Sequence, residues 1–154
     1  MRSKPKVVIR PLWPTELPQC AELGEAYCRE MDVPGGFVPA FFIQTWQNLF
    51  SAGSARVFGA WDEDRRLVGV FLGLVVPDPH NGETVGHQVN WFVLPEFRGI
   101  GLDLMMRWLD ELQDEGVHRF VVGAFRGPHE KALDRLYRRI GLEKLETHYV
   151  GYLP

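Results

Sequence analysis

The sequence predicts a mixed-sheet α/β sandwich in one domain, and three observations carry that prediction. Apolar runs and helical stripes alternate in the order β-α-α-β-β-β-α-β-α-β, with one further closing strand optional. The three middle strands are joined by short turns and so pair antiparallel. The strand-helix-strand run from Leu94 to His118 then demands a parallel pair. At 154 residues the chain is the size of one ordinary domain, without repeat, linker or low-complexity segment.

The elements follow in order. Lys6–Leu12 reads as a short apolar strand. Thr15 reads as an N-cap, which puts Pro18 in a first helical turn, where proline is tolerated. Leu17, Cys20, Ala21, Gly24, Tyr27, Cys28 and Met31 then recur at helical spacing, and Val33-Pro34-Gly35-Gly36 ends the helix. A second helix over 40–50 carries Phe42, Trp46, Leu49 and Phe50 on one face. Strands at 55–61 and 67–76 form a hairpin through Asp62-Glu63-Asp64-Arg65. After the turn-rich stretch 77–82 a third strand runs over 85–94. Leu102, Met105, Met106, Leu109 and Leu112 mark a helix ending at Gly116, and 118–125 reads as a strand. A last helix begins at Pro128, carries Ala132, Leu133, Leu136, Tyr137 and Ile140, and stops at Gly141. Residues 144–153 read as one or two closing strands.

Composition narrows the function. The chain is 45% hydrophobic and 24% charged with net charge −3, and it has no basic tract, so nothing favours nucleic acid or an anionic membrane as partner. No apolar run has the length of a membrane span, and the first residues lack the apolar core of a signal peptide. The expected compartment is the cytoplasm. Cys20 and Cys28 lie eight apart on a predicted helix, roughly 12 Å from each other, too far for a disulfide. No His, Cys or Asp cluster has metal-site spacing, so no metal is expected.

The chemistry concentrates at Phe92-Val93-Leu94-Pro95-Glu96-Phe97-Arg98-Gly99-Ile100-Gly101. An apolar strand runs into a proline, an arginine, two glycines and a helix start. First-turn amides have no intrahelical partner and the helix dipole favours negative charge, so this pattern suits a phosphate-bearing ligand.

On these residues the chain resembles the GNAT family of N-acetyltransferases. That family's loop signature is Gln/Arg-x-x-Gly-x-Gly/Ala after a strand ending Val-x-Pro; here Val93-Leu94-Pro95 precedes Arg98-Gly99-Ile100-Gly101-Leu102-Asp103. A second family feature, a tyrosine on the last helix four residues before a Gly-Phe-like pair, is matched by Tyr137 and Gly141-Leu142. The ending Glu146-Thr147-His148-Tyr149 is also similar to acetyltransferase-like proteins of tailed phages. The resemblance implies a three-layer α/β/α sandwich with a mixed, mostly antiparallel central sheet. It implies acetyl-CoA as co-substrate and an amine acceptor, with a homodimer plausible. The amides of Arg98, Gly99, Ile100, Gly101, Leu102 and Asp103 would cradle the diphosphate. The pantetheine arm would pair with the strand near Val93, whose amide would also polarise the thioester carbonyl.

Asp103 departs from the signature, which has Gly or Ala there. A carboxylate about 4–5 Å from the diphosphate would cost roughly 3–4 kcal/mol per charge pair at an effective dielectric of 20. An outward rotamer towards Arg107, four residues on, would avoid this cost.

Acetyl transfer to an amine needs a base for the ammonium proton and an acid for the leaving thiolate. By family position Tyr137 is the acid. The family's frequent carboxylate, eight residues ahead of the loop proline, is His87 here, and imidazole can serve as that base. Asn90 would orient the acceptor or a water. Tyr27, Phe37, Phe41, Phe42 and Trp46 are candidates for the acceptor wall. The bulky Trp91 and Phe92 argue against longer acyl chains. Two readings result: an acetyl-CoA-dependent N-acetyltransferase acting by direct attack, or a degenerate relative in which Asp103 weakens the cofactor site and the surface serves protein binding.

Overall fold

The computed structural model describes residues 3–154. It divides into two units, Met1–Gly123 and Ala124–Pro154. The longer unit carries β1 (Val8–Pro11), α1 (Leu17–Met31), α2 (Pro39–Ser51), β2 (Ala55–Trp61), β3 (Leu67–Pro77), β4 (Thr84–Val93), α3 (Gly101–Asp114) and β5 (Arg119–Val121). The sheet runs β1-β2-β3-β4-β5, antiparallel at its first three pairings and parallel between β4 and β5.

The faces of the sheet sort by alternation. On one side Leu17, Cys20 and Leu23 of α1 and Trp46 of α2 join Val57, Leu72 and Phe92 in a single buried cluster. On the other side lies α3, giving three layers: helices, sheet, helix. Two strand glycines make the seat for α3. A Cβ on Gly73 would stand 2.2 Å from Trp108 Nε1, and one on Gly86 would stand 2.4 Å from Leu112 Cδ1. The Trp108 indole lies in that slot, fully buried, with its ring 4.8 Å from Phe71 and edge-on to Phe120 at 6.2 Å. Its Nε1 has no hydrogen-bond partner among the described residues, a cost accepted for the fit. The slot also sets the rotation of α3. The buried stripe is Leu104, Met105, Trp108 and Leu112, and Met106, expected on that stripe, is 45% exposed.

Other departures from the sequence reading are local. Thr15 does not cap α1; Pro14–Glu16 forms a 3-10 turn ahead of it. Glu16 there accepts the Trp13 N–H at 2.9 Å and two Arg10 N–H bonds at 2.8 and 2.7 Å. The strand expected over 118–125 is confined to Arg119–Val121. The C-terminal stop of α3 is as read: Gly116 takes φ +77, and the bonds Val117 N–H to Leu112 O and Gly116 N–H to Gln113 O close a Schellman motif.

The second unit, Ala124–Pro154, holds α4 (Glu130–Arg139). An Asp134–Arg138 ion pair at 2.9 Å lies along it. It ends at Gly141 (φ +88), where Leu142 N–H bonds Tyr137 O and Gly141 N–H bonds Arg138 O. The closing strands expected over 144–153 are absent. Strand propensity is realised through packing and a ladder partner. Here Leu145, Tyr149, Val150, Tyr152 and Leu153 are exposed, and residues 142–154 join no ladder among the described residues.

Candidate functional site

The site begins where β4 and β5 part. Their parallel pairing covers only Val85–Arg119, Gly86–Phe120 and His87–Val121. Beyond it, Gln88 Oε1 accepts the Gly123 N–H at 2.9 Å. In the same place β4 bulges against β3, because Leu72 faces Asn90 while the next residue, Gly73, faces Gln88. From there to Val93 one edge of β4 has no strand beside it among the described residues. Leu94 N–H donates to Val68 O across the β3 side. Alternation along the strand therefore turns the N–H and C=O of Val93, and those of Trp91, to the open edge.

The open edge leads to the loop. Pro95–Phe97 forms a 3-10 turn, and Arg98 N–H is used on Pro95 O at 3.4 Å. Gly99 then takes φ +117, a conformation that side chains oppose. The first intrahelical bond of α3 is Leu104 N–H to Ile100 O. The amides of Ile100, Gly101, Leu102 and Asp103 precede it, and no side-chain cap serves them. Gly101 lies against Trp91, where a Cβ would stand 3.3 Å from the indole. The start of the helix thus sits over the open end of β4, with its donors clustered beside the strand.

Two side chains of the loop are engaged in ways the sequence reading did not foresee. Arg98 Nη2 donates to both oxygens of Glu30 on α1, at 2.7 Å each, so the cation is tied to the end of that helix. Asp103 pairs with Lys4, at 2.5 Å, and not with Arg107. The Arg107 guanidinium instead lies over the Phe58 ring, 5.4 Å from its centroid.

His87 sits at the last rung before β4 and β5 part, between Leu74 and Val121. Gly86 faces α3, so alternation directs His87 to the α1/α2 face. Five rungs of β3 separate it from Val93, about 17 Å. Asn90 lies on the same face as His87, near the Tyr27 phenol of α1. Burial pushes that phenol above its ordinary range, Cys28 adds to the rise, and the nearby Asn90 amide opposes it. Tyr27 also meets Phe92 edge-on at 6.0 Å. Burial pushes the Cys20 thiol up to about 12, which leaves it a packing residue. Among the described residues no group of His, Cys, Asp and Glu is arranged to hold a metal. Tyr137 lies in α4 of the second unit.

The structure therefore brings together Val93, the 98–103 loop and its helix start, and it puts His87 on the same strand. The sequence reading missed Lys4, Glu30 and Gln88. For Lys4 a signal existed, since an acid at a phosphate loop calls for a cation somewhere. Glu30 and Gln88 act through pairings distant in sequence, which no local pattern reveals.

A strand opened along one edge and ending under a helix start has the shape and the donors that suit an extended, phosphate-bearing ligand. The sequence matches the acetyltransferase (GNAT) family over residues 20–142, and the chain belongs to that family. A comparison with curated proteins gave no match. Among solved structures, the fold is similar to that of a ribosomal-protein-alanine N-acetyltransferase from Brucella melitensis biovar Abortus 2308. The identity is 23%, over 96% of this chain and 99% of that one, with a TM-score of 0.72. It is similar to a predicted acetyltransferase from Clostridium acetobutylicum, crystallised with acetyl-CoA, at 13% identity over 96% of both chains and a TM-score of 0.78. An aminoglycoside acetyltransferase from an uncultured soil metagenomic sample, in complex with sisomicin, aligns at 20% identity over 96% of this chain and 97% of that one, with a TM-score of 0.75. The chain is an acetyl-CoA-dependent acetyltransferase with an amine as acceptor.

Proposed function

We propose that this chain transfers acetyl from acetyl-CoA to a primary amine of a small molecule or a protein, by direct attack, at the open edge of β4. One observation carries this reading: the edge of β4 that β5 leaves free ends under the unpartnered amides of Ile100, Gly101, Leu102 and Asp103. Those amides, with that of Gly99, would hold the diphosphate. The outward N–H and C=O groups of Val93 and Trp91 would pair with the amides of the pantetheine arm as a neighbouring strand does.

Length supports the register. The arm has about twelve bonds from phosphate to sulfur, equal to about four residues of extended chain or roughly 14 Å. Laid back along β4 from Val93, it carries the thioester to the stretch between His87 and Asn90, where the bulge lies. Val93 then grips the arm, and the polarising of the thioester carbonyl, which the resemblance gave to the Val93 amide, falls instead to an amide freed by the bulge.

Acetyl-CoA supplies the activated acyl group. In this reading His87, directly or through a water, takes a proton from the acceptor ammonium, and the neutral amine so formed attacks the thioester carbonyl to make the C–N bond. Tyr137 gives its phenolic proton to the thiolate that leaves as the C–S bond breaks, and the second proton shed by the acceptor nitrogen restores the phenol. Asn90 and Tyr27 line the acceptor side. The family match spans 20–142 and so runs through both units, which supports treating the chain as one catalytic domain.

We further place the protein in the cytoplasm, where two unbridged cysteines fit a reducing compartment. No helix among the described residues is long and apolar enough to cross a membrane. The homodimer implied by the resemblance has its support in the exposed apolar side chains of 145–153, and sedimentation velocity decides it.

The test is mass-spectrometric detection of acetylated product after incubation with acetyl-CoA and two kinds of amine, an aminoglycoside and a peptide with an N-terminal alanine. Product with either one, lost in Tyr137→Phe, supports the reading. Acetyl-CoA binding that persists in Tyr137→Phe shows that chemistry and not binding was removed.

A further inference from the structure

The loop's one departure from its family signature is met from the far end of the chain. Asp103 occupies the third position of α3, so its carboxylate starts within a few ångströms of the amides that face the diphosphate. Its ion-pair partner is Lys4, whose Nζ stands 2.5 Å from Oδ2. Lys4 belongs to the segment ahead of β1, and β1 pairs with β2 at the opposite edge of the sheet from β5. Neither of the nearer cations performs this task. Arg107 lies over Phe58, and Arg98 is held by both oxygens of Glu30.

We propose that Lys4 is a positioning residue of the acetyl-CoA site: it neutralises Asp103 and holds that carboxylate aside, so that the loop accepts a diphosphate in spite of it. The proposal rests on the reading of this loop as the diphosphate site. Lys4 and Asp103 are 56% and 43% exposed, so the pair contributes little to folding. Its effect falls on the ligand. An unpaired carboxylate at the mouth of the site repels each phosphate charge, and such repulsion over a few ångströms lowers affinity about tenfold or more. The same pair explains why an acid is tolerated here at all: in the first turn it also favours the helix dipole.

The experiment is a double-mutant cycle read by calorimetric titration of acetyl-CoA at about 50 mM salt, where surface charges are weakly screened. The four proteins are wild type, Lys4→Ala, Asp103→Ala and the double variant, each checked first for an unchanged unfolding midpoint. The proposal expects Lys4→Ala to weaken binding about tenfold or more, Asp103→Ala to bind as tightly as wild type or tighter, and Lys4→Ala to cost threefold or less when Asp103 is already gone. Lys4→Ala within twofold of wild type overturns it. Equal losses in both backgrounds also overturn it, because Lys4 would then act on the ligand and not on Asp103. Binding by Asp103→Ala but not by wild type shows that Lys4 fails to neutralise the acid. Absence of binding by all four proteins removes the diphosphate site itself, and that failure is distinct from the other three.

Discussion

Tyr137 and His87 divide the proton work between them in the proposed mechanism, and each predicts a different kinetic signature. Tyr137→Phe keeps the ring and removes the proton, so kcat falls by about 10²-fold or more while the KM for acetyl-CoA stays within a factor of two or three. An unchanged kcat would take the acid role away from Tyr137. His87→Gln keeps a polar side chain at the last rung before the strands part but removes the base. The expected result is a kcat lowered by about 10²-fold and a low-pH limb of the rate profile that flattens. A limb that survives the substitution would assign the base elsewhere. Among single residues, the signature positions of the loop were legible in the sequence because they are contiguous. The partners of Arg98 and Asp103 were not, since Glu30 and Lys4 are 68 and 99 positions away and meet them only after folding.

At the scale of elements, the seat of α3 on the sheet decides where the helix start falls, and the seat is built from absent side chains. Gly73 and Gly86 leave the slot that Trp108 and Leu112 fill. Gly73→Ala and Gly86→Ala force a methyl into that packing and are expected to destabilise by about 1–3 kcal/mol each. Urea unfolding measures the loss, with Gly151→Ala, which meets nothing within 4 Å, as the neutral control. Stabilities equal to wild type would mean that Trp108 does not seat α3. The order of strands and helices was readable from periodicity, and so was the mixed sheet. The rotation of α3 was not, because Met106 and Trp108 both suit an apolar stripe and only the glycine slot on the facing strands chooses between them. The tail misled for a related reason. Its alternation of apolar residues is strand-like, but no ladder or packing surface realises it.

For the molecule as a whole, acid sensitivity follows from two carboxylates. Arg119, with help from His80, holds the Asp78 carboxyl well below the ordinary carboxylate range, and Arg10 lowers Glu16. Both groups bind a proton more readily in the unfolded chain than in the folded one. Their stabilisation is therefore complete above the ordinary carboxylate pKa of about 4 and is lost as the pH falls below it. The unfolding midpoint is expected to drop as the pH falls below about 4, and to drop less in Asp78→Asn. An identical pH dependence for that variant would remove Asp78 from the account.

In the proposed function the open edge of β4 and the loop after it bind acetyl-CoA. Thermal unfolding of the wild-type protein with and without acetyl-CoA tests this most directly. A ligand at about 100 times its dissociation constant adds roughly 2.7 kcal/mol, which for a chain of this size raises the midpoint by roughly 5–10 °C. That rise is the predicted result. An unchanged midpoint at millimolar acetyl-CoA would contradict the account.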